Sequence, residues 1–201
     1  MTERGVDEEK RSTLRRFAAL GAAIPSGLAG SAAAEGSDAR SAIAGYLSAT
    51  PGAHFSKIRD DLRLGTGETQ HHLRELVDDD LVVRREDGDY VRYYPAGTFS
   101  DFEQRALAAL RKETPRGMLL TLLREPDRSG SELADRLDVS RPTISTHAGR
   151  LQSAALLERD EGYRVERPET VLALVVRYAD SFDERAVELA GDADELIAYD
   201  P

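Results

Sequence analysis

Arg141, Thr143, Ser145, Thr146 and Arg150 fall within one short stretch that opens on Ser140 and Pro142. Short hydroxyls at a helix start donate to phosphate oxygens, and arginine forks onto a phosphate or onto guanine O6 and N7. The chemistry in prospect is recognition of a nucleic acid. A second, less uniform set comes earlier: Gln70, His71 and Arg74, followed by Arg84, Arg85 and Arg92 around Asp87-Gly88. Bond-making chemistry has no such constellation here. The sequence lacks a G-x-S-x-G nucleophile turn, a phosphate-binding loop, a dinucleotide fingerprint and an H-E-x-x-H pair, so an enzyme is not expected.

Metal chemistry looks equally unpromising at this level. With no cysteine there is no disulfide and no thiolate metal site. His71 and His72 are adjacent, which sets them about 100° apart on a helix, so they are not expected to chelate one ion together, and no nearby cysteine or clustered carboxylate is expected to complete a tetrahedral set. His72 and His147 are expected to be half-buried structural residues, and neither a metal nor another cofactor is expected.

These residues are positioned by a unit that occurs twice, 75 residues apart. Ser56-Lys57-Ile58-Arg59-Asp60-Asp61-Leu62 aligns without a gap on Ser131-Glu132-Leu133-Ala134-Asp135-Arg136-Leu137. Thr69, His72, Leu73, Leu76, Leu81 and Val82 then fall on Ile144, His147, Ala148, Leu151, Leu156 and Leu157. A repeat of apolar positions in register marks a duplicated supersecondary unit. Each copy reads as a helix (55–62; 131–137), a tight turn and a second helix (67–77; 142–152), which is a helix-turn-helix. Ser140 is a good N-cap, and Pro142 sits in the first turn, where its missing N–H costs nothing. Each copy continues into two β-rich stretches around a turn, Asp87-Gly88 in the first and Glu161-Gly162 in the second, so each should close with a hairpin. The order gives two winged helices.

At this point the chain resembles archaeal winged-helix transcription regulators of the broad ArsR/MarR type, especially the tandem forms of halophilic archaea. The resemblance rests on Pro51-Gly52-Ala53-His54-Phe55-Ser56 with Gln70-His71-His72-Leu73-Arg74-Glu75-Leu76, and on Val139-Ser140-Arg141-Pro142-Thr143-Ile144-Ser145-Thr146-His147 with Arg150-Leu151. Pro168-Glu169-Thr170-Val171 and the stretch through Arg177-Tyr178 to Ser181-Phe182 add to it. It implies a mainly α fold with small β-hairpins, two tandem winged helix-turn-helix domains with flanking helices, and binding to double-stranded DNA. The missing cysteines set the chain apart from the metal-sensing members. Glu68 and Thr69 depart from the usual small hydroxyl and β-branched apolar pair, which weakens the first copy as a base reader.

Composition fits that picture in one respect and resists it in another. The net charge is −10, the wrong sign for a phosphate ligand. Most of the acidity lies away from the reading unit: residues 116–168 are neutral, whereas residues 169–201 carry −7. Arginine greatly outnumbers lysine and acidic residues abound, a balance suited to multimolar salt, where the Debye length shrinks to about 3 Å and distant carboxylates hardly act.

The expected organisation is an N-terminal segment (1–38), a first winged helix (39–97), a connecting helix (98–113), a second winged helix (114–168) and an acidic C-terminal helix (169–201). In the second copy the DNA-facing set is Arg141, Pro142, Thr143, Ser145, Thr146 and Arg150, with Arg159 and Arg164 on its wing. In the first it is Gln70, His71, Arg74, Arg84, Arg85 and Arg92. Val171, Val175, Tyr178, Phe182, Ala186 and Leu189 form an apolar seam that either joins two copies into a homodimer or packs back on its own domain. Leu14-Arg15-Arg16-Phe17, with Ala32-Ala33-Ala34 further on, resembles part of a twin-arginine export signal, but Pro25-Ser26-Gly27 interrupts its apolar run, and a cytoplasmic location is the expectation. The alternatives to a DNA reader are an adaptor that binds transcription machinery and a membrane-tethered or exported form.

Overall fold

A computed structural model describes residues 12–14, 16, 17, 34–160 and 162–196. The chain divides into two units, Met1–Phe99 and Ser100–Pro201.

The first unit begins with α1 (Ala34–Ala49), a short strand β1 (Ala53–His54), then α2 (Phe55–Leu62) and α3 (Thr66–Asp78). Strands β2 (Val82–Asp87) and β3 (Tyr90–Pro95) form the wing. The sheet order is β1-β3-β2, all antiparallel. α1 buries Ala39, Ala42, Ile43, Tyr46 and Leu47, a helical stripe that meets Ile58 and Leu62 of α2 and Leu73 and Leu76 of α3. Burying each large aliphatic side chain of this set contributes about 1.5–3 kcal/mol. Tyr46 keeps its phenol satisfied by donating to Asp61 at 2.6 Å, and Thr69, fully buried, donates to the Gly65 carbonyl at 2.9 Å. Leu14 and Phe17 also rest on this core, Phe17 edge-on to Tyr46 with ring centres 5.3 Å apart. Arg15 and residues 18–33, on which the export reading depends, lie outside the described residues.

The wing turn differs by one residue from the sequence expectation. Asp87 pairs with Tyr90, so the loop residues are Gly88 and Asp89. Gly88 has φ +63°, the left-handed conformation that a two-residue hairpin loop needs where it leaves the first strand.

The second unit opens with α4 (Asp101–Leu110) and α5 (Glu113–Arg124), then α6 (Gly130–Leu137) and α7 (Arg141–Ser153). A short wing, β4 (Leu157–Arg159) and β5 (Tyr163–Val165), leads to α8 (Pro168–Tyr178), a 3₁₀ turn (Ala179–Ser181), α9 (Glu184–Gly191) and α10 (Ala193–Leu196). Met118, Leu119 and Leu122 of α5 pack in the core with Leu133, Ile144, Ala148 and Leu151. A capping box starts α6: Ser129 accepts from the Glu132 amide, and Glu132 accepts from the Ser129 amide at 2.8 Å. That backbone bond, then the Ser129 hydroxyl and Arg128, holds the Glu132 carboxyl down to about 2.

The apolar seam after the second wing packs inward. Val171, Val175, Tyr178, Ala186 and Leu189 are all buried within their own unit, where α8 meets α4 and α9. Phe182 lies under the Arg111 guanidinium at 4.4 Å, and Arg111 also donates to the Ser181 carbonyl and hydroxyl. Of the two roles open to the seam, packing on its own domain is the one observed; Val176 and Val187 remain on the surface of α8 and α9.

The 75-residue offset holds through the elements themselves. Phe55–Leu62 and Thr66–Asp78 become Gly130–Leu137 and Arg141–Ser153. It extends to backbone conformation. Arg63 and Asp138, which end α2 and α6, have φ of 55° and 52°, and Asp80 and Ala155, beyond α3 and α7, have φ of 55° and 52°. Four non-glycine residues thus accept a conformation that costs roughly 1–2 kcal/mol each, because the turn geometry of the motif demands it. Even the third strand has its counterpart, since the bridge of Arg128 to Tyr163 stands where β1 pairs with β3.

Candidate nucleic-acid interface

α7 is held in place by Ile144, Ala148 and Leu151, which face the core. Ser140 caps it, its Oγ accepting from the Thr143 amide at 3.2 Å and lying 2.8 Å from Thr143 Oγ1. The remaining surface carries Arg141, Pro142, Ser145, Thr146, Gly149 and Arg150, all exposed, with Thr143 half-buried. Thr146 donates back to the Pro142 carbonyl at 2.9 Å, which leaves its oxygen free to accept. Arg141 and Arg150 have no ion-pair partner among the described residues. Most other arginines of this unit do: Arg124 with Asp192, Arg128 with Glu125 and Glu132, Arg116 with Asp183, and Arg164 with both oxygens of Asp127 at 2.8 Å. Arg141 and Arg150 are thus two cations without an ion pair among the described residues that share the exposed face of the second helix of the motif.

His147 turns toward the core side. Its Nδ1 is buried without a hydrogen-bond partner among the described residues. Burial, then Arg150 and Lys112, push its pKa below the ordinary imidazole value and keep the ring neutral. Gly149 was not singled out by the sequence. A Cβ there would meet nothing within 4 Å, so Gly149→Ala is expected to stabilise the unit by about 0.5–1 kcal/mol through helix propensity. Denaturant unfolding measures the change, and a loss of stability would show that α7 is not the regular helix described.

The second wing is short and mixed in charge. Arg159 is exposed and lies 5.4 Å over the Tyr163 ring, while Arg164 is tied to Asp127. Between them stand acidic neighbours. Glu166 shares a hydrogen bond with Glu158, which raises its carboxyl above the usual range.

On α3, Gln70, His71 and Arg74 are exposed. Glu68, a departure from the family pattern, caps the start of α3 by accepting from the Gly65 amide at 3.2 Å. His72 is buried against the core with Nδ1 3.0 Å from Glu75 Oε2, and His71 Nε2 lies 3.5 Å from Glu75 Oε1. The expectation that no carboxylate stands beside the histidine pair is corrected here, because Glu75, one turn on, lies near both rings. Of the aspartates that follow, Asp79 pairs with Arg40 at 2.5 Å.

The wing arginines of the first unit do not act together. Arg92 is withdrawn from the DNA-facing set. It is buried, donating from Nε to Asp87 at 2.5 Å and from Nη1 to the Gly52 carbonyl at 2.9 Å. Arg85 stands directly across from Arg92 in the ladder and is half-buried, while Arg84, opposite Tyr93, is exposed on the other face.

Comparison with known proteins agrees with this geometry. Residues 37–107 match a family model described as an N-terminal HTH domain, and residues 116–167 match the MarR family. The chain is also 26% identical over 129 residues to a protein of Methanocaldococcus jannaschii described as an uncharacterized HTH-type transcriptional regulator. The match covers 64% of this chain and 32% of that protein, so the chain spans about a third of its relative's length. No helix among the described residues is long and apolar enough to cross a membrane. Each unit thus carries a helix-turn-helix and a wing, the first similar to the N-terminal HTH domain family and the second to the MarR family.

Proposed function

We propose that the chain is a sequence-specific DNA-binding transcription regulator whose α7 is the main reader of the major groove. The observation that carries this reading is the pair of exposed, unpaired arginines, Arg141 and Arg150, on a helix whose other outward residues are short hydroxyls, proline and glycine. Small side chains let the helix approach the groove closely, and the two guanidiniums bring the charge. Arg141 lies at the helix N-terminus, where motifs of this kind meet base edges, and is the candidate for guanine. Pro142, Thr143, Ser145 and Thr146 line the approach, with the hydroxyls and the first amides of α7 positioned for phosphate. Arg150 and, on the wing, Arg159 and Arg164 add backbone contacts, Arg164 after exchanging Asp127 for a phosphate.

In this reading the first unit is auxiliary. Gln70, His71 and Arg74 of α3 and Arg84 and Arg85 of the wing touch the duplex without setting its sequence, in keeping with the acidic residues that follow α3. The protein acts in the cytoplasm as a homodimer, performs no catalysis and needs no cofactor for DNA binding.

The test is selection of bound duplexes from a random pool by the full chain over a range of potassium chloride concentrations. Enrichment of one motif is the expected result, and an inverted repeat within it carries the dimer. Absence of enrichment at every salt concentration overturns the proposal in favour of an adaptor that binds transcription machinery.

A further inference from the structure

We propose that His71, His72 and Glu75, on the middle turns of α3, form a binding site for one divalent transition-metal ion of the zinc class. One donor atom from each of the three residues lies within 4.8 Å of the other two. Glu75 is the hub: its Oε1 is 3.5 Å from His71 Nε2 and its Oε2 is 3.0 Å from His72 Nδ1. A tetrahedral zinc ion with bonds of about 2.0–2.2 Å holds its donors roughly 3.3 Å apart. Both separations to the carboxylate already bracket that value, and rotation of the exposed His71 ring closes the gap between the imidazoles.

The helix explains how adjacent histidines come to share a site. On their own, residues i and i+1 diverge. Here His72 enters at the edge of the core and His71 lies outside it, yet their rings stay 5.0 Å apart, centre to centre. Glu75, four residues beyond one and three beyond the other, then reaches both, since residues at those spacings are neighbours on a helix. Packing fixes His72, which removes part of the ordering cost that a wholly exposed triad would carry.

The donor set indicates the class of ion. Two imidazole nitrogens and one carboxylate suit zinc, cobalt, nickel or copper; magnesium and calcium prefer all-oxygen sites. Three protein ligands leave a fourth position open to water or to a donor from another molecule. Asp78 and Asp79, on the next turn, add negative potential, opposed by Arg40, which pairs with Asp79 and also acts on Glu75. Binding displaces the hydrogen bond between His72 Nδ1 and Glu75, with the single proton of the neutral ring carried on Nε2.

The experiment is titration of the metal-stripped full chain with cobalt(II), followed by visible absorption, and with zinc(II), followed by calorimetry. Uptake of one equivalent is expected, weakened at least about 10-fold in His71→Ala and in Glu75→Gln. Circular dichroism confirms that both variants fold, as the surface position of His71 and the half-exposed one of Glu75 lead us to expect. Absence of saturable uptake overturns the proposal, and so does uptake equally strong in both variants. Neither result bears on the reading of α7.

Discussion

Replacing Arg141 and Arg150 together by alanine is expected to weaken binding to the selected duplex by roughly 2–4 kcal/mol, about 30- to 1,000-fold. The two single variants should separate. Arg141→Ala relaxes the preference at one base position, because a lost fork onto guanine no longer penalises the other bases. Arg150→Ala weakens all sequences alike and lowers the salt slope by about one, the mark of a lost phosphate contact. Both side chains are exposed and unpaired among the described residues, so the melting temperature should barely move. Titration of wild type and variants against the same duplex is the measurement. Unchanged affinity in the double variant would transfer the reading role to α3.

The second large effect concerns stability. Arg92→Met is expected to destabilise the first unit by about 2–4 kcal/mol in denaturant unfolding. The side chain of Arg92 is only 3% exposed, and its removal leaves Asp87 without that cation and the Gly52 carbonyl without a donor. Asp87 is 20% exposed, so water recovers part of the loss and the lower end of the range is the better guide. Adding Asp87→Asn to the variant should cost less than the sum of the two single changes, since each alone strands the other partner. A single variant as stable as wild type would return Arg92 to the surface and to the DNA-facing set.

The duplicated motif was legible because its information is local. Core positions recur at helical spacing, Ser140 and Pro142 mark the start of a helix, and a turn residue separates the two helices of each copy. The role of Arg92 was not legible. Tyr93 and Tyr94 alternate across β3, so period-two patterning puts an aromatic on each face and does not say which face meets the core. Strand pairing settles it, with Tyr94 and Arg92 inside. The apolar seam was legible as a seam, but helix spacing carries no statement of whether α4 or a second chain covers it. The common partner of the histidine pair was not legible for another reason: it depends on Glu75, one turn later, whose carboxylate lies near both rings.

The constant offset between the units has an engineering consequence. α3 and α7 each have 13 residues, enter from the same kind of turn and leave through the same kind of left-handed residue. Thr69, His72, Leu73 and Leu76 anchor one helix as Ile144, His147, Ala148 and Leu151 anchor the other, which leaves the outward residues of either helix free of packing duties. The outward face of α7 can thus be grafted position for position onto α3 while its anchors stay in place. A chain altered in this way would carry one address in duplicate, and the scaffold is in that sense a pair of interchangeable cassettes.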